Sequence, residues 1–365
     1  MKNICKGLTL GLSAVFLALG AWNVSAEPGD WAKNTEIKGD VRLRYQMEQA
    51  DGNADRSRGR VRARVGFTSE INDKVKVGLG LASGNSNDSR STNQTFQDAF
   101  SSKGIFLDMA YVEVALAEPL TLVGGKFASK ALLWHPSDLL WDGDINPEGG
   151  GAIVTFGPAF LNLAGFVLQE NKAAADPVLY AVQPGIETKV GNITLHAAVA
   201  YYSFSNLKGA AFLPNAAKTN SDSNGDGTGV LIHDYDAIVP SLEVSMDALG
   251  PFSSGAVFGE YVNNSHPSSE NTGYLVGFKL GDKKVKDAKQ WQFKYLYRSL
   301  EKEAWPDFMP DSDFAGGGTG FEGHKVILDI GLAKNVVLGL NYYMTQAIQG
   351  TGDQDLLQVD LLTMF

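Results

Sequence analysis

From residue 35 onward the chain alternates apolar and polar positions over stretch after stretch, each about 9–14 residues long, which is the length a tilted membrane-crossing strand needs. The alternation predicts sixteen strands: 35–48, 57–71, 73–84, 104–117, 119–128, 149–157, 159–170, 178–190, 192–205, 235–248, 251–264, 271–282, 287–301, 323–332, 334–348 and 354–365. It is clean over 35–81, 287–298 and 334–365 and blurred over 104–128 and 178–200. The connections alternate too. Tight ones fall at 71–73, 117–119, 157–158, 190–192, 249–251 and 333–335, with a somewhat longer one at 281–289. Long ones rich in Gly, Ser, Asn and Asp fall at 85–103, 128–148, 206–234 and 302–322. Short turns at one rim and long loops at the other are the layout of a transmembrane barrel. The pattern therefore predicts an all-β, antiparallel β-barrel of about sixteen strands, and no repeat or linker divides it.

Arginine recurs with the same period of two. In "DVRLRY" and "RGRVRARVGF", Arg42, Arg44, Arg58, Arg60, Arg62 and Arg64 alternate with Leu43, Val61, Ala63 and Val65. One of the two faces must meet lipid, and an arginine at mid-bilayer costs about 2–4 kcal/mol. Several would exceed the ~5–15 kcal/mol net stability of a typical fold. The arginines are thus expected to face a wet lumen as a positive strip, continued by Lys74 and Lys76 on the third strand. Successive residues on one face lie roughly 7 Å apart, inside the ~8 Å screening length at physiological salt.

The loop at 128–148, "ASKALLWHPSDLLWDGDINPE", mixes Leu132, Leu133, Trp134, Leu139, Leu140 and Trp141 with Asp138, Asp142, Asp144 and Glu148. Six large apolar residues are not held in water, so this loop is expected to fold into the lumen. The expected pore lining is then Arg42, Arg44, Arg60, Arg62, Arg64 and Lys76 against Asp138, Asp142, Asp144 and Glu148. Paired carboxylates can also serve acid–base catalysis, but no histidine or nucleophile is placed beside them. "DSNGDGTG" at 222–229 has Asp222, Asn224 and Asp226 at the first three positions of a calcium loop and Gly227 at its turn. The twelfth position is His233 rather than glutamate, so a flexible surface loop competes with a structural calcium site; no other cofactor is suggested. Trp291, Phe293, Tyr295 and Tyr297 form an aromatic row suited to a lipid-facing girdle.

The first residues fix the expected compartment. Lys2 and Lys6 precede the apolar run 7–22, and "VSA" precedes Glu27, which together read as a secretory leader over 1–26 and a barrel domain over 27–365. The single cysteine, Cys5, leaves with the leader, which excludes disulfides and cysteine chemistry from the mature chain. Without Lys2 and Lys6, 29 basic residues stand against 41 acidic ones, a net of −12, which disfavours a nucleic-acid partner. "LLQVDLLTMF" ends on Phe365, as the last strand of an outer-membrane barrel typically does, with Thr363 departing from the usual apolar residue.

"RGRVRARVGFTSEINDKVKVGLGLASG", "STNQTFQDAF", "LDMAYVEV", "LVGGKF" and "LLWDGDINPEGG" resemble the putative porin family of Gram-negative bacteria, most strongly over about 35–155. The resemblance implies an outer-membrane barrel that passes small hydrophilic solutes and ions by diffusion and has no enzymatic activity. It implies lipid and lipopolysaccharide around the barrel, the barrel-assembly machinery engaging the C-terminal strand, and by analogy a homotrimer. Two other readings compete. A substrate-specific exporter or importer, alginate-export-like, would carry a continuous charged or aromatic track. A barrel enzyme such as a lipase or protease would need a Ser/His/Asp set at the outer rim, and the sequence offers no convincing one.

Overall fold

The computed structural model describes residues 33–97 and 99–365, so the leader and Cys5 lie outside the described residues. Sixteen strands follow one another: β1 (Thr35–Ala50), β2 (Arg56–Asn72), β3 (Val75–Ser83), β4 (Ile105–Ala117), β5 (Leu120–Lys126), β6 (Glu148–Phe156), β7 (Ala159–Val167), β8 (Val178–Val190), β9 (Ile193–Ser205), β10 (Tyr235–Leu249), β11 (Phe252–Asn264), β12 (Thr272–Gly281), β13 (Trp291–Leu300), β14 (Phe321–Ala333), β15 (Val336–Ala347) and β16 (Gln354–Met364). Each pairs antiparallel with the next, and β16 pairs with β1, so the sheet closes. A two-residue segment, Gln94–Thr95, pairs with Arg60 and Val61 where β2 outruns the shorter β3. The strand count agrees with the alternation, including the blurred regions. Among the described residues no helix is long and apolar enough to cross a membrane; the crossing is made by strands.

Closure is what a bilayer demands, because an open edge would leave N–H and C=O groups without partners in hydrocarbon. The period of two then separates two environments. Ile37, Leu43, Tyr45, Leu79, Val257 and Val276 point outward and are 45–59% exposed. Their neighbours along the strands, such as Arg44, Arg62, Gln358 and Asp360, are buried on the inside. The tight turns at 73–74, 118–119, 157–158, 191–192, 250–251 and 334–335 share one rim with the longer turn 282–290, and the long loops share the other.

The inside is not evenly filled. A large apolar cluster occupies the half of the lumen bounded by β5 to β13. There Phe127, Phe166, Tyr202, Phe204, Leu275 and Leu296 of the wall side pack against Leu132, Leu133, Leu139, Leu140 and Trp141 of one inward loop and Trp305 and Met309 of another. Gly151 makes room for this packing: a Cβ there would run into the Leu163 carbonyl and lie 2.5 Å from Leu132 Cδ2.

The seam between β16 and β1 is set by a specific contact. Phe365 and Gly39 exchange two backbone hydrogen bonds of 3.0 Å, and the Phe365 ring lies where a Cβ on residue 39 would be. Gly39→Val should displace that ring and destabilise the closed barrel by the ~1–3 kcal/mol typical of overpacking. A lowered urea midpoint for the heat-modifiable gel band of the folded barrel is the expected readout; an unchanged midpoint would show that the ring is not needed at the seam.

Candidate functional site

The inward arginines are held by carboxylates on the same wall. Register places Asp360 of β16 opposite Arg44, Arg62 of β2 opposite Arg42, and Arg64 opposite Asp40. Arg44 donates from Nε and Nη2 to the two Asp360 oxygens, both at 2.7 Å, and from Nη1 to Asp313 at 3.1 Å. Arg62 and Arg64 share Asp40 at 2.9 and 2.8 Å. The two-point Arg44–Asp360 contact is the strong, geometrically fixed kind. Arg42 is less neutralised: Nη2 donates to Asn93 at 2.7 Å and its nearest carboxylate is Asp360 at 3.8 Å. Arg60 donates to Gln46, Ser91 and the Asn93 carbonyl, and among the described residues no carboxylate pairs with it.

Facing this wall are three loops. The loop at 127–147, between β5 and β6, turns inward and is pinned to the wall. Gln183 accepts from the Trp134 amide at 2.8 Å and donates to its carbonyl at 2.7 Å, and Ser137 donates to Glu260 at 2.6 Å. The Trp134 and His196 rings stack with centroids 3.7 Å apart. A second loop, 301–320, also turns inward and binds the first: Trp305 Nε1 donates to the Leu140 carbonyl at 2.9 Å, the Asp142 amide to the Met309 carbonyl at 2.7 Å, and the Ser312 amide to Asp142 at 2.7 Å. Lys325 of β14 ties both loops to the barrel through Asp138 at 2.6 Å and Asp311 at 2.8 Å. From the third loop, 84–104, the buried Arg90 inserts its guanidinium among four carbonyls, those of Asn215, Asp307, Pro310 and Gly317, at 2.5–3.2 Å.

Between wall and loops remains a cavity of about 340 Å³ lined by both signs of charge, with Arg42, Arg44, Arg62, Arg90 and Lys325 against Asp142, Asp144, Asp311, Asp313, Asp329 and Asp360. Burial pushes the Asp142 carboxyl well above the usual carboxylate range, and the nearby Asp311 and Asp144 push it further. Burial raises Asp311 as well. Asp138 goes the other way: burial alone would raise it, but the Lys325 ammonium more than offsets that and holds it low. His135, buried in the first loop, is lowered to about 4 by desolvation, so it is neutral at ordinary pH.

The sequence-predicted residues separate into groups. Arg42, Arg44, Arg62, Asp142 and Asp144 line the cavity, and Arg64 reaches Asp144 at 3.4 Å. Arg60 stands behind them against loop 84–104. Asp138 turns to Lys325 rather than to the arginines. Glu148 pairs with Lys126 at 3.2 Å, its side chain 69% exposed, and is not among the cavity residues. Lys76 lies toward the short-turn rim, in register with Glu70 and Glu113, away from the cavity. In the tentative calcium loop the oxygens of Asp222 accept amides of Asn224, Gly227 and Gly229, and Asp226 accepts the Thr228 amide and hydroxyl. These donors order the turn from within. No cluster of His, Cys, Asp or Glu suited to a metal ion occurs among the described residues. Sequence reasoning missed Arg90, Lys325, Asp311 and Asp313. The signal for loop 301–320 was the same mixture found in 128–148, with Trp305, Phe308, Met309 and Phe314 among Asp307, Asp311 and Asp313.

The geometry has counterparts among known proteins. By shape, the chain is similar to OprB of Pseudomonas putida, with a TM-score of 0.64, 10% identity and coverage of 92% of this chain and 95% of that one. It is similar to Salmonella typhi OmpF, solved in complex with daunomycin, with a TM-score of 0.54, 11% identity and coverage of 91% and 97%. It is also similar to OmpT, an outer membrane protein of Vibrio cholerae solved with its loop L8 deleted, with a TM-score of 0.51, 10% identity and coverage of 90% and 99%. At these identities the likeness concerns the fold. No curated protein matches the sequence. Residues 46–230 and 238–365 match the profile of the family described as Putative porin, which covers most of the chain, and the protein belongs to that family.

Proposed function

We propose that the protein is an outer-membrane porin whose water-filled channel passes small hydrophilic solutes and ions by diffusion, with an arginine-bearing wall opposed by an acidic inward loop. The observation that carries this reading is the charged cavity of about 340 Å³ left between β16–β1–β2 and loops 127–147 and 301–320. Barrels of ~16–18 strands are wide enough to hold water, and the apolar cluster packs inward loops against the β5–β13 side, so solutes pass along the arginine-bearing wall. The family and fold support a bacterial outer membrane, with the short turns toward the periplasm.

Charge pairing shapes what the channel should select. Arg44, Arg62 and Arg64 are matched by Asp360, Asp313 and Asp40. The field therefore runs across the channel more than along it, and it favours dipolar and zwitterionic solutes over apolar ones while keeping ion selectivity mild. Arg42 is the wall charge most available to a passing anion. A substrate-specific exporter or importer would differ in one respect: its flux would saturate with a preferred solute, whereas a diffusion channel conducts in proportion to salt.

Planar-bilayer recording in a salt gradient tests the reading. Arg42→Ala should move the zero-current potential toward cation preference, and Asp144→Asn should move it toward anion preference. No ion-conducting channel at all from the folded protein would refute the proposal.

The raised Asp142 carboxyl adds a pH dependence. Burial and two neighbouring aspartates hold its proton, so on acidification it becomes neutral before an ordinary carboxylate near pKa 3.9 does. Negative charge is thereby lost from the cavity, and selectivity should drift toward anions as pH falls. Asp142→Asn should lack part of that drift; an identical drift in the variant would place the titration elsewhere.

Loop anchoring supplies a further test. Arg90→Ala removes four charge-assisted hydrogen bonds, each typically worth about 1.5–3 kcal/mol, and loosens the hold of loop 84–104 on loops 206–234 and 301–320. Single-channel conductance should rise and its noise increase. Conductance equal to the parent protein would mean that Arg90 does not hold the narrow section.

A further inference from the structure

The short-turn rim carries one charged feature unlike the rest. The turn 282–290 and the neighbouring turn 334–335 contain Lys283, Lys284, Lys286, Lys289 and Lys334 against Asp282 and Asp287. This local excess of lysine stands in a chain of net charge −10. The remaining short turns, at 73–74, 118–119, 157–158, 191–192 and 250–251, hold one lysine between them, Lys74.

The two lysine turns form one platform. The Asn335 amide donates to the Lys286 carbonyl at 2.6 Å, the Lys289 amide to the Gly331 carbonyl at 3.0 Å, and the Gly331 amide to the Gln290 carbonyl at 2.8 Å. Gly331 lets the backbones meet, since a Cβ there would collide with the Asp287 carbonyl. Gln290 Oε1 accepts the amides of Lys286 and Asp287 and fixes the turn from within. All five lysines are exposed. Lys283 is engaged by Asp247. Among the described residues, the Lys284, Lys286, Lys289 and Lys334 ammonium groups make no ion pair with the protein. Asp282 is occupied by the Trp291 amide and Ser253, which leaves Asp287 as the near counter-charge.

Depth decides the partner. Trp291 follows the platform directly and packs edge-on against Phe252, centroids 5.9 Å apart, on the outer face of the barrel. Tryptophan on a lipid-facing strand marks the boundary between hydrocarbon and headgroups. Lysines one turn beyond it stand at headgroup depth, and their flexible stems can reach along the surface to phosphates.

We propose that this platform, Lys284, Lys286, Lys289 and Lys334, binds the phosphate headgroups of anionic phospholipid in the periplasmic leaflet. The assignment rests on the outer-membrane orientation given above. It orients and anchors one sector of the barrel, β12 to β15, through charge rather than through apolar burial.

Native mass spectrometry of the whole barrel in detergent tests this. Dioleoyl-phosphatidylglycerol and dioleoyl-phosphatidylcholine, which differ in headgroup charge and not in acyl chains, are titrated separately. The protein should retain the glycerol lipid with a preference on the order of tenfold, given the strength of lysine attraction to an anionic lipid surface. The combined variant Lys284→Gln, Lys286→Gln, Lys289→Gln and Lys334→Gln should lose most of that preference. The matching Lys→Arg variant should keep it, which separates charge from any disturbance of the turn. Equal retention of the two lipids by the parent protein, or an undiminished preference in the glutamine variant, would overturn the proposal. Conductance of the same preparations is read independently. A conducting channel without lipid preference would refute the platform alone, and lipid preference without a channel would refute the channel alone.

Discussion

A polypeptide in hydrocarbon has no solvent for its amides, and that constraint orders everything else in this molecule. Sixteen strands close on themselves through the β16–β1 seam, and closure turns the period of two into an inside and an outside. Residues that would be interchangeable on a wet sheet acquire opposite fates. Leu43 faces lipid, while Arg42 and Arg44 on either side of it face the lumen. The arginine pattern is therefore a consequence of closure, since no outward position would accept it.

Closure also creates a second problem. The lumen of such a barrel is too wide for wall side chains to fill and too narrow to leave every buried charge fully hydrated. The chain answers by folding loops inward and by pairing charges. Apolar loop residues collect against the β5–β13 side, where Trp141 and Trp305 are almost wholly buried. The arginine wall lies on the opposite side, where Asp40 and Asp360 sit between arginines on adjacent strands. An arginine beside an arginine, as at Arg42 and Arg62, is tolerable because these carboxylates are in register one step away. Removing one partner of such a set leaves an uncompensated buried charge, which is far more costly than the pair itself is stabilising.

What the sequence revealed and what it concealed follow from the range of the interactions. Strand number, strand order and the two rims were legible because alternation and turn length are local properties. The inward direction of the arginines was legible because a single energy, that of charge in lipid, decides it. The inward fold of 127–147 was legible from its six large apolar residues. The partners were not. That Asp138 meets Lys325 instead of an arginine, that Arg90 reaches carbonyls more than a hundred residues away, and that Glu148 ends beside Lys126 all depend on where loops from distant strands converge. Period-two reasoning puts Lys76 on one face with the arginines but says nothing about its height, and height separates it from the cavity. The calcium-like segment shows a different limit: its Asp and Gly spacing suits a cation, and the same carboxylates accept amide hydrogens within the turn, so spacing alone does not separate the two roles.

The division of the lumen has a consequence for how such a channel discriminates. Unpaired positive wall charges would act as a filter by sign and would exclude cations along the whole approach. Here most arginine charge is cancelled within a few ångströms, so in the channel we propose a solute at a distance would meet little field and one inside the cavity a steep one between Arg42 and the facing acidic loop. A steep local gradient would act on dipoles and on solutes carrying both charges, and it would do so without trapping them, because Arg44, Arg62 and Arg64 already have carboxylate partners to return to. Permeation requires that entry be favourable and release easy. Paired charges meet both conditions better than bare ones, and the loops that bring Asp142 and Asp144 close enough to face the wall are the same loops whose apolar residues pack against the β5–β13 side.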